Sequence, residues 1–279
     1  MKIETSFMKK IISAFLVLVL FILQSCNSKS GEKTTVEEPP KSEVQRIVDA
    51  SIDFHGFAPL DNAQLDLVFR DKFYTYRKKA GMYEYTRSQV DSTGTTIYDI
   101  MNNDGLVRLM NNDIHELVTE WGPLKGDTAV INEERRAAFT RSVNSVVYFF
   151  LLPYGLNDPA VNKEFVGEST IKGKDYFEVK ITFGEEGGGE DFDDVFIYWF
   201  DKEDYSMNYF AYLYHTDGGG MRFREAINPR RVSGMLIQDY INFKPENEDI
   251  DIMTIDELYK EGKLIVLSEI INENVRISH

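Results

Sequence analysis

Gln64-Leu65-Asp66-Leu67-Val68-Phe69-Arg70 decides the fold. Leu65, Leu67 and Phe69 alternate with Gln64, Asp66, Val68 and Arg70, and a period of two puts the large apolar groups on one face of a strand. Phe73-Tyr74-Thr75-Tyr76 follows after two residues, and Met82-Tyr83-Glu84-Tyr85-Thr86 comes after Ala80-Gly81. The same chemistry recurs at Thr95–Met101, Leu106–Met110 and Ile114–Val118, with Asn, Asp and Gly between the runs. Further on, residues 164–183 read as a hairpin turning at Gly173-Lys174. Then come Val195–Phe200, Asn208–His215, Met221–Ile227, Gly234–Phe243 and a last strand at Leu264–Ile271. Short aromatic and β-branched runs with regular punctuation describe an antiparallel meander.

Three segments break the alternation. Ser42 and Gln45 form a capping box, and Val44, Ile47, Val48, Ser51 and Ile52 follow at helical spacing, so an amphipathic helix spans 42–54 and Gly56 closes it. Residues 127–152 contain the strong helix formers Asn132 to Phe139 and an apolar face of Val143, Val146, Val147, Phe150 and Leu151, ended by Pro153. They read as one long helix or two. Thr254–Tyr259 reads as a short helix.

No strand–helix–strand alternation is present, which argues against a parallel sheet or a β/α barrel. An open sheet of about twelve strands must curl. The expectation is an α+β, mainly-β chain: a single large curled antiparallel sheet, a half-barrel, with helices over its concave face. Residues 42–279 form one domain in this reading. The layout resembles the lipoprotein-carrier fold of LolA and LolB. That resemblance implies an apolar cleft between sheet and helices, able to hold an acyl chain or another greasy ligand.

The amino terminus speaks to location. Lys9 and Lys10 precede an apolar block, Ile11 to Leu23, that ends in Leu23-Gln24-Ser25-Cys26. The block is shorter than the about 20 residues a spanning helix needs and fits the apolar core of a signal peptide. Leu-x-Ser-Cys resembles the lipobox of bacterial lipoproteins. The resemblance implies cleavage before Cys26 and acylation of Cys26, the only cysteine in the chain. Residues 1–25 are then a signal peptide, with Met8 an alternative start, and residues 26–41 a lipidated, polar tether. Acylated Cys26 makes the membrane a partner. Asn27, rather than Asp, after Cys26 favours the outer membrane.

Charge and composition narrow the partners. The net charge is −15, and losing the three Lys and one Glu of residues 1–25 makes it −17. A chain this acidic is a poor partner for nucleic acid. With its one cysteine lipidated it has no disulfide, so the core must supply the stability. The 19 Phe and 15 Tyr are ample for that. Oligomeric state is not legible.

The chemistry-bearing residues gather in one region. Residues 184–194 carry six acids, and residues 215–231 carry four Arg. Pairing Phe200 with Met207 sets Asp193 opposite Tyr214, and a turn at Gly218–Gly220 sets Arg222 opposite Tyr214 and Arg224 opposite Tyr212. Asp193, Tyr212, Tyr214, His215, Arg222 and Arg224 are therefore the candidate ligand-binding residues, at one edge of the sheet. Two Arg on one face suit a carboxylate or phosphate. The bland alternative is a structural Arg–Asp network with Arg stacked on Tyr. Leu151, Leu152, Phe196, Tyr198, Phe210 and Tyr212 are candidate wall residues, with core packing as their alternative.

No catalytic signature accompanies them. The Asp191-Phe192-Asp193-Asp194 run lacks the glycine and the closing Glu of a calcium loop. The four His have no zinc spacing, and no Gly-x-Ser-x-Gly elbow occurs. No metal and no cofactor are expected. Whether the chain is an enzyme stays open, leaning against. The alternative to a ligand-binding domain is an envelope hydrolase or lyase using the acidic loop 185–194, His215 and Arg222–Arg224.

Four phrases carry a further resemblance: Ser51-Ile-Asp-Phe-His55-Gly56, Ser142-Val-Asn-Ser-Val-Val-Tyr148-Phe149, Leu152-Pro-Tyr-Gly-Leu-Asn-Asp158-Pro-Ala-Val161 and Gly219-Gly-Met-Arg-Phe-Arg-Glu225-Ala. They resemble a family of Bacteroidota lipoproteins of unknown function, over about residues 42–277. Some members carry a deoxyribose-phosphate aldolase label. The residues argue against it, because a Schiff-base lysine must be desolvated inside a barrel and no barrel pattern is present. The resemblance brings no catalytic residues.

Overall fold

The computed structural model describes residues 40–79, 81–111, 127–186, 192–247 and 249–278. The expected signal peptide, Cys26, the tether up to residue 39 and the strand at 114–118 lie outside the described residues. Residues Lys41–His279 cluster as one compact unit.

Fourteen strands and three α-helices are described. Helix α1 (Glu43–His55) precedes β1 (Gln64–Phe69), β2 (Lys72–Lys79), β3 (Met82–Val90), β4 (Thr96–Asn102), β5 (Gly105–Asn111) and β6 (Asp127–Thr128). Helix α2 (Glu133–Leu151) leads to β7 (Val161–Ile171), β8 (Lys174–Phe183), β9 (Val195–Asp201), β10 (Met207–Tyr214), β11 (Gly220–Val232) and β12 (Met235–Pro245). Helix α3 (Ile255–Lys260), β13 (Leu264–Ile270) and β14 (Glu273–Ser278) complete the chain.

The chain is mainly β and wholly antiparallel, as the alternation requires. The strands divide into two seven-stranded sheets instead of one continuous one: β14-β1-β2-β3-β4-β5-β6 and β13-β12-β11-β10-β9-β8-β7. The division has a local cause. Only Ile271 and Asn272 separate β13 from β14, so one stretch of chain runs from the edge of one sheet to the edge of the other. Asn272 replaces ladder bonds with corner bonds. Its N–H donates to Asp239 Oδ1 at 2.8 Å and its Nδ2 to the Gln238 carbonyl at 2.9 Å. Arg230 donates to the Asn272 carbonyl and pairs with Asp239 at 3.0 Å. The expected last strand, 264–271, is thereby followed by a further one, β14.

Helix α1 is capped as its sequence dictates. Ser42 Oγ accepts from the Gln45 N–H, and Gly56 closes the helix at φ 73°. A Cβ on Gly56 would meet the Gly234 carbonyl oxygen at 2.8 Å, so glycine is required twice over. His55, in the last turn, is 1% exposed and accepts the Met207 N–H on Nε2 at 3.1 Å. Burial, with Arg231 nearby, lowers its pKa to about 3, so it is neutral.

Helix α2 begins later than residue 127. Asp127 and Thr128 instead pair with Met110 and Leu109 as β6. Asn132 then caps the helix, its side chain accepting from the Arg135 N–H. The helix lies between the sheets. Val147 and Leu151 pack with Leu65, Leu67, Tyr74 and Tyr76 of the first sheet, while Tyr148 and Phe149 pack with Phe196 and Phe210 of the second. Ile47 and Val48 of α1 join that second cluster. Ile255 of α3 packs with Trp199 and Phe223 on the opposite face. Two of the three helices therefore share one face of the second sheet and α3 takes the other. No described helix is long and apolar enough to cross a membrane.

Candidate functional site

Where α2 crosses between the sheets it leaves a cleft of about 440 Å3, within the range of small-molecule sites. Its walls come from elements far apart in sequence. Helix α2 supplies Ser142, Ser145, Val146, Phe149 and Phe150. The β1–β2 hairpin supplies Phe69, Arg70, Lys72 and Tyr74, and the second sheet supplies Tyr212, Tyr214, Arg222, Arg224, Tyr240 and Asn242. The hairpin turn holds Arg70 and Asp71 at φ 48° and 61°, the tight geometry that matches strand twist.

The charge of this lining is opposite to that of the chain. Arg70, Lys72, Arg222 and Arg224 line the cleft, and among the described residues no Asp or Glu does. The whole chain has 46 acids against 31 Lys and Arg.

Arg224 is the deepest of the four, 8% exposed. Its Nη2 donates to Tyr212 Oη at 2.9 Å. Its guanidinium lies 4.1 Å from the Phe149 ring centre and 5.2 Å from that of Tyr212, geometry favourable for a cation over a ring. Its Nε is buried and has no hydrogen-bond partner. Asn242, its register partner on β12, has a buried Oδ1 in the same condition. Burial pushes the Tyr198 and Tyr240 hydroxyls well above the usual phenol range, so neither tyrosine near Arg224 is an anion.

Arg222 donates from Nη2 to Tyr214 Oη at 2.7 Å and from Nη1 to the Met221 carbonyl at 2.7 Å. Gly220, opposite Tyr214 in the register, makes room for this pair. A Cβ there would stand 2.8 Å from Tyr214 Oη, at a backbone φ of 149°.

Of the expected ligand-binding residues, the structure gathers Tyr212, Tyr214, Arg222 and Arg224 at the cleft. Asp193 and His215 do not line it. His215 Nδ1 lies 3.4 Å from Asp193 Oδ2 and 3.7 Å from Asp194 Oδ1, and Asp194 also accepts the His215 N–H. The ligand atoms of these three lie within 4.8 Å of one another; residues 187–191 of the acidic loop lie outside the described residues.

The expected row of Asp193, Tyr214 and Arg222 fails for two identifiable reasons. Phe200 does pair with Met207, but a bulge follows, and Tyr212 then faces Phe196 and Leu213 faces Val195. One residue of slip moves Asp193 out of line with the Tyr face. Between β10 and β11 the register is off by two, with Arg222 opposite Tyr212 and Arg224 opposite Phe210. An even slip keeps the face, so each Arg still reaches a Tyr hydroxyl, diagonally.

Among the expected wall residues only Tyr212 lines the cleft. Leu151, Leu152, Phe196, Tyr198 and Phe210 are buried in the packed clusters beneath α2. The sequence reading missed Lys72, Asn242 and the Ser142–Ser145 edge of α2. The alternation of Asn242 with Tyr240 on β12 was the available signal.

No curated protein matches the sequence. Among solved structures, the chain is similar to a LolA-superfamily protein from Nitrosomonas europaea at 10% identity and a TM-score of 0.40, covering 86% of this chain and 93% of that one. It is also similar to a DUF1329-family protein from Desulfovibrio piger at 13% identity and a TM-score of 0.39, covering 85% and 93%. The model of a family of unknown function, DUF6503, matches residues 9–272. The chain therefore belongs to the DUF6503 family.

Proposed function

We propose that this chain is a lipid-anchored protein of the cell envelope that binds an apolar or amphipathic ligand in the cleft beneath α2. The observation that carries the reading is the cleft itself: about 440 Å3 with Val146, Phe149 and Phe150 on one side and Tyr212 and Tyr240 on the other. An open cleft of this size, apolar on both walls with a few polar groups converging on it, has the character of a small-molecule site. The lipobox-like Leu23-Gln24-Ser25-Cys26 supports an anchor at acylated Cys26 and an outer-membrane address.

Two experiments test it. Mass spectrometry of an organic extract of the purified full-length protein is expected to release a lipid or other amphiphile in stoichiometric amount. An extract holding none, together with no binding of added amphiphiles, contradicts the ligand reading. In cells, Cys26→Ser is expected to move the protein out of the membrane fraction; an unchanged distribution contradicts the anchor.

A further inference from the structure

We infer that the cleft recognises the head group of its ligand, and that this head is anionic: a carboxylate or phosphate on an apolar chain, received by Arg224 with Arg222, Arg70 and Lys72 around it. The inference rests on the reading of the cleft as a ligand site and adds the charge of what fills it.

Three independent observations point the same way. The first is the sign of the lining. Among the described residues, four cations and no carboxylate line the cleft of a chain whose net charge is −15. The second is the state of Arg224. A buried guanidinium needs its N–H groups satisfied, and an orphaned donor on a charged group is expensive. Arg224 Nη2 reaches Tyr212, its guanidinium carbon lies 4.1 Å from the Phe149 ring centre, and its buried Nε has no partner. The third is its neighbour. Asn242, directly across from Arg224, also lines the cleft and has an unsatisfied buried amide oxygen. An amide can present either end. Turned over, it would accept from Ser268, within 3.5 Å of the present Nδ2, and offer N–H groups to the same anion as Arg224.

The apolar part of the ligand has a place as well. Phe149 shields Arg224 on one side, and Val146 and Phe150 continue the α2 wall along the cleft. A bare anion would leave that wall in water, and a neutral chain would leave Arg224 Nε unbonded. An anionic amphiphile satisfies both.

The test uses laurate, dodecyl phosphate and dodecanol, which share one chain, and inorganic phosphate, which has none. Each is titrated calorimetrically into the purified full-length protein. Laurate or dodecyl phosphate is expected to bind roughly tenfold tighter than dodecanol or more, the scale of one charge-assisted hydrogen bond. In Arg224→Met that ratio is expected to fall close to one. Equal binding of the alcohol and the acids by the unmodified protein overturns the anionic head but leaves the apolar cleft standing. Inorganic phosphate bound as tightly as dodecyl phosphate overturns the amphiphile and leaves a free-anion site. Binding of none overturns the cleft reading itself. The comparison of ligands on the unmodified protein decides the matter even if Arg224→Met fails to fold.

Discussion

Two buried arginine groups face α2 from opposite sheets, and they are satisfied in opposite ways. In the first sheet, Arg87, Asp99 and Arg108 are register partners across β3, β4 and β5. Asp99 is 1% exposed and accepts from both neighbours, from Arg87 Nη2 at 2.6 Å and from Arg108 Nε at 2.6 Å. Arg87 goes on to donate to Ser142 of α2 at 2.6 Å, and Arg108 covers Phe139 at 3.5 Å. In the second sheet, Arg224 has two phenylalanines, a tyrosine and an orphaned Nε. Among the described residues no carboxylate lines the cleft beside it. The first cluster carries its own counter-charge and fastens α2 to the sheet. The second leaves its charge facing an open cleft. The same residue type thus serves structure in one sheet and, in our reading, recognition in the other. What separates them is whether an acid sits in register.

Breaking the first cluster is expected to have the largest effect. Asp99→Ala leaves buried Arg87 facing half-buried Arg108 and is expected to cost about 3–5 kcal/mol, the usual cost of removing one partner from a buried ion pair. Chemical denaturation measures it. A loss below about 1 kcal/mol would mean the cluster behaves as an exposed pair, and the contrast with Arg224 would disappear.

Glu178 sharpens the comparison from the acidic side. It lies on β8, 9% exposed, with Oε1 buried and unpartnered. Burial pushes its pKa up to about 7, with Asp256 adding repulsion. A carboxyl whose folded pKa is raised binds its proton more tightly in the folded state. Its stabilising share is complete below the ordinary value of 4.5 and is lost as pH rises through about 7. Glu178→Gln is therefore expected to stabilise the protein on the order of 2 kcal/mol at pH above 7 and to change little at low pH. Thermal melts of both proteins across that range check it, and equal melting shifts at every pH contradict it.

The smallest effect is expected where a careless reading would expect the largest. Arg224→Met removes a buried charge that no acid among the described lining residues balances and keeps a long side chain against Phe149. Its stability is expected to change by less than about 1 kcal/mol, in either direction, because buried charge replaced by an apolar group of similar volume is often neutral or stabilising. A loss comparable to that of Asp99→Ala would make Arg224 a structural residue and would count against the anion site.

Much of this is legible in the sequence. Alternation at Leu65, Leu67 and Phe69 fixed strands, and Ser42, Gln45 and Gly56 bounded α1 to within a residue. Tyr212, Tyr214, Arg222 and Arg224 share a face because alternation survives any even slip. What was not legible depends on tertiary geometry. The bulge after Met207 moved Asp193 away from the Tyr face, and nothing in Met207-Asn208-Tyr209 announces it. The corner at Asn272 split the strands into two sheets, through bonds to Asp239 and Gln238 some 33 and 34 residues away. Lys72 and Asn242 reach the cleft only because α2 and the β1–β2 hairpin fold over the second sheet. The lone tyrosines and phenylalanines named as wall residues proved mostly core, since burial and ligand contact draw on the same residue types.

The central claim is that Arg224 waits for an anion carried on an apolar chain. A crystal structure of the protein with dodecyl phosphate tests it most directly. The account predicts a phosphate oxygen within hydrogen-bond distance of Arg224 Nε and the chain laid along Val146, Phe149 and Phe150. A cleft that stays empty at saturating ligand, or a phosphate bound away from Arg224, would contradict it.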